Sequence, residues 1–281
     1  AIEVGADAIA HGSTGAGNDQ VRFDLIFQVM CPNVEIITPI RDMALSREEE
    51  IGFLKNHGYE MEFHKAQYSV NKGLWGTSVG GKETLTSRNY LPEEAFPSQI
   101  KETQPSELEI EFKNGEVVAV NGENFEHSVY AIQKIEELAS AYGIGRDIHV
   151  GDSIVGIKGR VGFEAAAASV IIKAHHLLEK HTLSKYQQMM KSQLSDWYGN
   201  WLHEALFLDP VMRNIESFLV DSQKTVSGKV FVTLHPYRFI LNGIESQYDL
   251  MSDKFGSYGE ANRAWTCDDV KGYTKIVSNS L

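Results

Sequence analysis

The first part of the chain alternates short apolar runs with amphipathic segments. This alternation predicts strand, helix, strand and helix in turn, near Ala6–Ala10, Asn18–Met30, Val34–Pro39 and Ser46–His57. Ser46 and Glu49 have the spacing of a capping box at the start of the second helix. Strands that alternate with helices indicate an α/β fold with a doubly wound parallel sheet, whose ligands lie beyond the carboxyl ends of the strands.

Beyond Gly58-Tyr59 the pattern changes to hairpins and longer helices, which predicts a second, α+β domain. Glu107–Phe112 alternates strictly and Asn114-Gly115 supplies a tight turn, so a hairpin with Val117–Val120 is expected. The other predicted elements are a helix over Ser128–Tyr142, a strand segment over Ile154–Phe163, helices from Glu164 to about Lys224 with breaks near Thr182 and Pro210, and a hairpin over Lys229–Leu241 that turns at His235-Pro236.

The last 36 residues, 246–281, lose this periodicity but keep several aromatic residues, among them Phe255, Tyr258, Trp265 and Tyr273. Large aromatic side chains in a segment with little helical or strand pattern are usually covered by another surface. Two surfaces fit: that of a neighbouring subunit, or that of the chain's own body.

Composition narrows the class of protein. The 281 residues are 42% hydrophobic and 23% charged, as in an ordinary globular protein, and the net charge of -12 argues against nucleic-acid binding. Cys31 and Cys267 are too few for a disulfide framework or a zinc site, which indicates a reducing compartment and a cytoplasmic protein. No apolar run reaches the roughly 18 residues of a membrane span, and no secretory signal is visible.

A glycine-rich turn follows the first predicted strand. Gly12, Gly15 and Gly17 allow a tight backbone path with accessible N–H groups, and Asn18 or Asp19 is a good N-cap for the helix that follows. Unpaired N–H groups at the start of a helix favour an anion. The turn is therefore the best candidate for a ligand site.

Arg22 adds to this candidate site because it lies in the first helical turn, where the helix dipole disfavours a cation. Its position suggests a compensating anion, and Thr14, Asn18 and Asp19 are small polar groups that can fix the two ends of an amino acid. The alternative is a solvated arginine beside an ordinary cap. The spacing matches neither common phosphate-binding loop.

The run from His11 to Phe23 resembles the substrate loop of argininosuccinate synthases, which join citrulline to aspartate at the expense of ATP. The similarity continues through Tyr68–Ser78, Gly143–Arg146 and Gly156–Arg160. The family's N-terminal Ser-Gly-Gly-x-Asp-Thr-Ser loop for the ATP pyrophosphate is absent from this sequence. We therefore expect the C-terminal two thirds of such an enzyme, either as a fragment or with its first part not represented.

The resemblance implies three parts: 1–57, the remaining C-terminal part of a nucleotide-binding domain; 58–245, the synthetase domain; and 246–281, an extended oligomerisation tail of a homotetramer. It implies ligation through a citrullyl-adenylate, with ATP and Mg²⁺ as co-substrates and no protein nucleophile. The implied contacts are aspartate with Thr14, Asn18 and Asp19, citrulline with Asn18, Arg22, Ser69 and Ser78, and ATP with Gly12. The alternative is a noncatalytic amino-acid-binding and oligomerisation module, motivated by the missing phosphate loop.

Two positions depart from the family's pattern. The family places a glutamate and a tyrosine on citrulline, twelve residues apart, and the matching positions here are Gly151 and Phe163. Asp152 is the nearest carboxylate in the sequence that could substitute for the glutamate. Lys158 and Arg160 alternate on one strand face beside this site, and a charged outer face is favoured over ligand contact.

A histidine group on the long helical stretch invites a metal interpretation. His175, His176 and His181 lack the spacing of ligands on one helix face, and no Asp or Cys joins them. We expect partly buried polar residues on a packed helix and no metal site.

Overall fold

The computed structural model describes residues 1–15, 17–59, 68–251 and 264–281. The helices are α1 (Asp19–Met30), α2 (Pro39–Asp42), α3 (Arg47–Asn56), α4 (Ser128–Ser140), α5 (Ala166–Thr182), α6 (Lys185–His203), α7 (Pro210–Ser222) and α8 (Cys267–Val277). The strands are β1 (Ala8–Ala10), β2 (Glu35–Ile37), β3 (Ser69–Gly73), β4 (Gly76–Gly80), β5 (Ser106–Lys113), β6 (Glu116–Val120), β7 (Glu123–Asn124), β8 (Arg146–Asp152), β9 (Lys158–Glu164), β10 (Gly228–His235) and β11 (Arg238–Glu245). Parallel and antiparallel sheets are both present, so the protein is of mixed α/β class.

The first region is a β–α–β unit followed by two helices. β1 and β2 pair in parallel with α1 between them, as the alternation predicts, although both strands are shorter than the apolar runs. Pro39 starts the short helix α2, which the sequence pattern did not indicate, because proline is suited to the first helical position. The predicted capping box is confirmed: Ser46 Oγ accepts the Glu49 amide, and the Glu49 carboxylate accepts the Ser46 amide.

The main core lies between a five-stranded antiparallel sheet and two helices. The strand order is β11-β10-β5-β6-β7, and helices α4 and α5 cover one face. Both predicted hairpins are present, but the second one turns at Pro236-Tyr237, one residue later than expected. Tyr237 adopts φ +62°, and its amide donates to the Tyr142 carbonyl, so a tertiary contact sets the position of the turn.

A four-stranded antiparallel sheet, of order β3-β4-β9-β8, carries the other candidate site residues. The sequence analysis missed β8 entirely and placed the start of β9 four residues too early. Residues 153–157 form a turn instead, in which the Ser153 amide donates to the Ile157 carbonyl and Gly156 adopts φ +81°. One face of this sheet covers a small core formed by Val79, Leu91, Ala95 and Phe96.

A buried arginine and its hydrogen-bond partners lie beside this small core. Arg146 of β8 is 3% exposed, and its Nε donates to the carboxylate of Glu164, the residue opposite it on β9, at 2.9 Å. Its remaining donors reach the Glu93 carboxylate and the Ser98 carbonyl, and its guanidinium lies over the Phe96 ring. Arg146, which the sequence analysis treated as part of a motif, is thus a structural residue.

The long helical region breaks where the sequence predicts, between α5 and α6 and at Pro210. The tail differs from the expectation of little periodic structure, because it contains helix α8, whose N-cap Thr266 forms a capping box with Asp269. Trp265 and Tyr273 are more than half exposed, whereas Phe255 and Tyr258 lie outside the described residues. No helix in the described part of the chain is long and apolar enough to cross a membrane.

Candidate functional site

The glycine-rich loop connects the end of β1 to the start of α1, at the carboxyl edge of the parallel pair. His11 opens the loop with a side chain only 7% exposed, and its Nε2 lies 2.9 Å from Oδ1 of Asp24 in α1. The Ser13 amide donates to Nδ1 of the same ring. Both ring nitrogens of His11 therefore fix the path of the loop.

Asp24 also binds Arg41 of α2, whose Nη1 donates to the second carboxylate oxygen at 2.7 Å. Burial raises the pKa of Asp24, but hydrogen bonds and charge interactions with His11 and Arg41 outweigh it, so the pKa lies below its usual value. Gln20 completes this support, since its side-chain NH₂ donates to the Gly15 carbonyl and its oxygen accepts from Arg41 at 3.4 Å. Sequence reasoning missed Gln20, Asp24 and Arg41, because they are brought together only by the packing of α1 on α2.

The start of α1 leaves backbone donors available. The amides of Asp19 and Gln20 have no hydrogen-bond partner among the described residues. Asn18 stands at the N-cap position, as expected, but its side chain does not cap the helix. Such a helix start, fed by glycines, is suited to an anion.

The Asn18 side chain instead contacts two residues far away in the sequence. Its Oδ1 accepts the Ile154 amide at 2.8 Å, within the turn between β8 and β9, and its Nδ2 lies 3.3 Å from Nε2 of His203 at the end of α6. One side-chain N–H and one oxygen lone pair remain for a ligand. Asn18 therefore joins the glycine-rich loop to the end of the four-stranded sheet.

Arg22 has partners within the chain. Its Nε donates to the His203 carbonyl at 2.9 Å, and its Nη1 lies 3.2 Å from the Asp19 carboxylate. The last carbonyls of α6 carry partial negative charge, so they offset the unfavourable position of a cation at the start of α1. Part of the compensating negative charge that the sequence suggested thus comes from the protein itself.

Ser69 and Ser78 lie on one face of the β3–β4 hairpin. Ser78 pairs with Asn71 across the hairpin and with Phe163 on β9, and Ser69 lies two residues from Asn71. Side chains two residues apart share a sheet face. This face is open and borders a depression of about 790 Å³ lined by Asn71, Ser78, His149, Val161, Phe163 and the neighbouring turn.

The candidate residues therefore form two groups. Gly12, Thr14, Asn18, Asp19 and Arg22 lie in and after the glycine-rich loop, with Gly12, Thr14 and Asp19 exposed. Ser69 and Ser78 lie on the sheet whose far turn Asn18 contacts.

The charged residues near Gly151 face away from Ser78. Asp152 pairs with Lys158 at 2.6 Å on the opposite sheet face, and Arg160 Nη1 donates to the Glu83 carbonyl. Asp152 consequently cannot replace a carboxylate at position 151. The expected outer charged face holds for Lys158, whose side chain is 70% exposed, but not for Arg160, which is partly buried on the sheet face that also carries Val79 of the small core.

The three histidines of α5 contact different parts of the protein. His175 Nε2 lies 2.9 Å from Gln223 Oε1, and His181 Nδ1 lies 3.0 Å from Asp249 Oδ1. These two rings are partly buried as predicted, whereas His176 is exposed because it points to the solvent side of the helix.

Fold and site together define an α/β protein with a glycine-rich loop at the start of a helix and an adjoining polar sheet face. Models of known families match both parts: the arginosuccinate synthase N-terminal HUP domain matches residues 1–60, and the arginosuccinate synthase C-terminal domain matches residues 68–280. The chain belongs to the argininosuccinate synthase family, whose members are ligases.

Curated relatives named argininosuccinate synthase agree with this assignment. The chain is 36% identical to that of Methanocaldococcus jannaschii over 263 residues, which cover 92% of this chain and 66% of the relative. The chain is 36% identical to the relative from Dictyoglomus thermophilum over 278 residues, which cover 98% of this chain and 70% of the relative. It is 37% identical to the relative from Dehalococcoides mccartyi over 268 residues, which cover 94% of this chain and 66% of the relative. The chain thus spans about two thirds of the length of these relatives.

Proposed function

We propose that this chain belongs to an enzyme that ligates citrulline to aspartate with ATP. In the proposed reaction the citrulline ureido oxygen attacks the α-phosphorus of ATP and pyrophosphate leaves. The aspartate amine then attacks the ureido carbon of the citrullyl-adenylate, AMP leaves, the amine loses its proton, and argininosuccinate is formed. The observation that carries the proposal is the glycine-rich loop, which leads into α1 with two amides that have no partner among the described residues.

The parallel β1–β2 pair supports the proposal that residues 1–57 complete a doubly wound nucleotide-binding domain. In such domains ligands bind beyond the carboxyl ends of the strands, where Gly12 lies. Residues 58–245 would then form the synthetase domain. Gly12 is exposed and carries no side chain, so a nucleotide can approach its backbone closely.

The aspartate subsite is assigned to Thr14, Asn18 and Asp19. The Asp19 carboxylate is 67% exposed, so it can accept hydrogen bonds from the substrate ammonium while the amides at the start of α1 donate to the substrate carboxylates. Citrulline is assigned to Asn18, Arg22, Ser69 and Ser78. These groups position the substrates and stabilise charge, which this reaction needs more than a protein nucleophile.

Magnesium is proposed to arrive with ATP. In the parts of the chain that the structure describes, no three His, Cys, Asp or Glu side chains are grouped to hold a metal ion. Mg²⁺ commonly binds through substrate phosphates and few protein groups, so the proposal needs no dedicated cage of protein carboxylates.

The tail, residues 246–281, is proposed to contact a neighbouring subunit of a homotetramer. Helix α8 is exposed along its described length, with Val270, Tyr273 and Ile276 between 46% and 71% exposed. These residues follow at helical spacing, so they form an apolar stripe that a partner surface would cover. A cytoplasmic location is proposed on the ground that Cys31 and Cys267 are both free thiols.

Calorimetry and product analysis together test the proposed function. The chain is titrated with aspartate and with citrulline, with and without ATP and Mg²⁺, and AMP formation is followed by chromatography. Ser78→Ala should weaken citrulline binding, whereas Ser106→Ala, at an exposed serine of the other antiparallel sheet, is the matched control. Binding without AMP formation would favour the noncatalytic module, and the absence of binding to either amino acid would refute both functions.

A further inference from the structure

The depression on the open face of the β3-β4-β9-β8 sheet is lined by a histidine that the sequence analysis did not single out. His149 of β8 pairs with Val161 of β9, and Phe163, two residues further along β9, pairs with Ser78. His149 therefore lies on the same sheet face as Ser78. His149 is exposed and lines the depression together with Ser78, and its imidazole has no hydrogen-bond partner among the described residues. A ring that can both donate and accept hydrogen bonds is therefore available to a ligand.

Glycine at position 151 creates the space for this ring. A Cβ built on Gly151 would lie 2.6 Å from Nε2 of His149, closer than real Cβ contacts. The imidazole thus covers the backbone of Gly151 and occupies the volume from which any side chain at 151 would extend. Gly159, directly across from Gly151 on β9, has no comparable neighbour, since its nearest contact is a backbone oxygen at 4.0 Å.

The depression is poor in negative charge. The described residues that line it include His149 and Lys72 but no Asp or Glu. Asp147 is the nearest carboxylate on the same strand face, but its Oδ1 accepts the Ile148 amide at 2.7 Å and it does not line the depression. Asp152 lies on the other face and is paired with Lys158.

The adjoining aromatic residue also lacks a polar group. Phe163 supplies an apolar ring beside Ser78, so no phenolic oxygen is present at this point. The only cationic group of citrulline is its α-ammonium, which needs a carboxylate or several oxygen acceptors to bind strongly. The described residues that line the depression with His149 include no carboxylate for that group.

We propose that His149 contacts the ureido substrate in this depression and that the site accepts ω-ureido acids irrespective of a free α-ammonium group. The proposal rests on the proposed function, because it names the substrate class of the same site. An imidazole can donate to a substrate carboxylate or to a carbonyl oxygen, and it can accept a ureido N–H. It can therefore bind ureido acids whose α-nitrogen is acylated or absent.

Calorimetry on the 281-residue chain tests this selectivity with citrulline, N-acetylcitrulline and 5-ureidopentanoic acid. The three dissociation constants should agree within about threefold, because no carboxylate among the described lining residues distinguishes the ammonium. His149→Ala should weaken binding of all three by about tenfold, as expected for the loss of a hydrogen bond to a charged group. In His149→Ala/Gly151→Glu the new carboxylate should favour citrulline by about tenfold or more.

Two glycine variants separate a ligand contact from a structural role. Gly151→Ala keeps His149 but forces its ring to move, so binding should weaken nearly as much as in His149→Ala while the melting temperature stays close to the parent value. Gly159→Ala adds the same methyl group where space is free, and it should leave both quantities unchanged.

The outcomes distinguish this inference from the proposed function. If the parent chain binds citrulline about tenfold more tightly than both analogues, the inference is wrong while the ligase proposal stands. Loss of such a preference in Asp147→Asn would assign the subsite to Asp147 instead. Unchanged binding in His149→Ala would also refute the inference. If none of the three compounds binds, both proposals fail.

Discussion

Two ion pairs of the β8–β9 ladder offer a controlled measurement of what burial does to a salt bridge. Arg146 faces Glu164 at one end of the ladder, and Asp152 faces Lys158 at the other, both directly across the strands. The side chains of the first pair are 3% and 5% exposed, and those of the second are 59% and 70% exposed. Strand pairing and sheet face are matched, so burial is the main difference between the two pairs.

Glu164→Gln removes one charge from the buried pair and leaves Arg146 in the interior. Breaking such a pair costs about 3 to 5 kcal/mol of unfolding free energy. The lower end is expected here, about 3 kcal/mol, because Arg146 keeps its contacts with Glu93 and the Ser98 carbonyl. Asp152→Asn breaks the exposed pair and should cost less than about 1 kcal/mol.

Urea denaturation followed by circular dichroism measures both losses. With a slope near 3 kcal/mol per molar urea, a loss of about 3 kcal/mol lowers the midpoint by about 1 M, and Asp152→Asn should lower it by less than about 0.3 M. The small effect of Asp152→Asn should shrink further at high salt, whereas that of Glu164→Gln should persist. Equal losses in the two variants would refute the argument that burial decides the contribution.

Four further predictions concern the loop, the tail and pH. Asp19→Ala in the complete enzyme should raise the Michaelis constant for aspartate far more than that for citrulline, and equal changes would contradict the assignment. Arg22→Lys should lower the melting temperature slightly, because the Nε donor to the His203 carbonyl is lost. It should also weaken citrulline use, because lysine lacks the planar fork of arginine. Citrulline use near the parental level would leave Arg22 only a structural role. Deletion beyond Ser246 should reduce the assembly mass measured by light scattering, and an unchanged mass would favour packing of the tail on its own chain. Burial lowers the pKa of His175 in the folded protein below 6.5, so the unfolded state binds more protons below that pH. The free energy of unfolding should therefore fall as the pH drops from 7 to 5. His175→Gln should reduce this pH dependence, which denaturation at each pH would measure.

Most of the elements and the existence of the loop site could be predicted from sequence, because they depend on local pattern. The alternation in Glu107–Phe112 and the Asn114-Gly115 turn specify a hairpin within a few residues. The spacing of Ser46 and Glu49 specifies a helix start. Glycines before a helix likewise indicate accessible amides, since the property belongs to the backbone of those residues.

The turn at residues 153–157 shows where local pattern failed. Ile154, Val155 and Ile157 extend the apolar run into β9, so the run favours a strand that begins too early. Hydrogen bonds within the turn and the acceptance of the Ile154 amide by Asn18, far away in the chain, decide the outcome. Strand β8 was missed because one of its faces is exposed to the depression and carries polar residues.

The sequence by itself determined the class of fold, the loop that begins the site and the family to which the chain belongs, because these properties follow from short-range spacing and from motifs. Only the tertiary structure decided that Asp24 and Arg41 support the loop, that Arg22 binds the end of α6, and that Asp152 faces away from Ser78. It also placed the His149 ring over Gly151. These relations depend on how helices and strands distant in sequence pack and on which face of a strand each side chain occupies, and no local pattern specifies either of them.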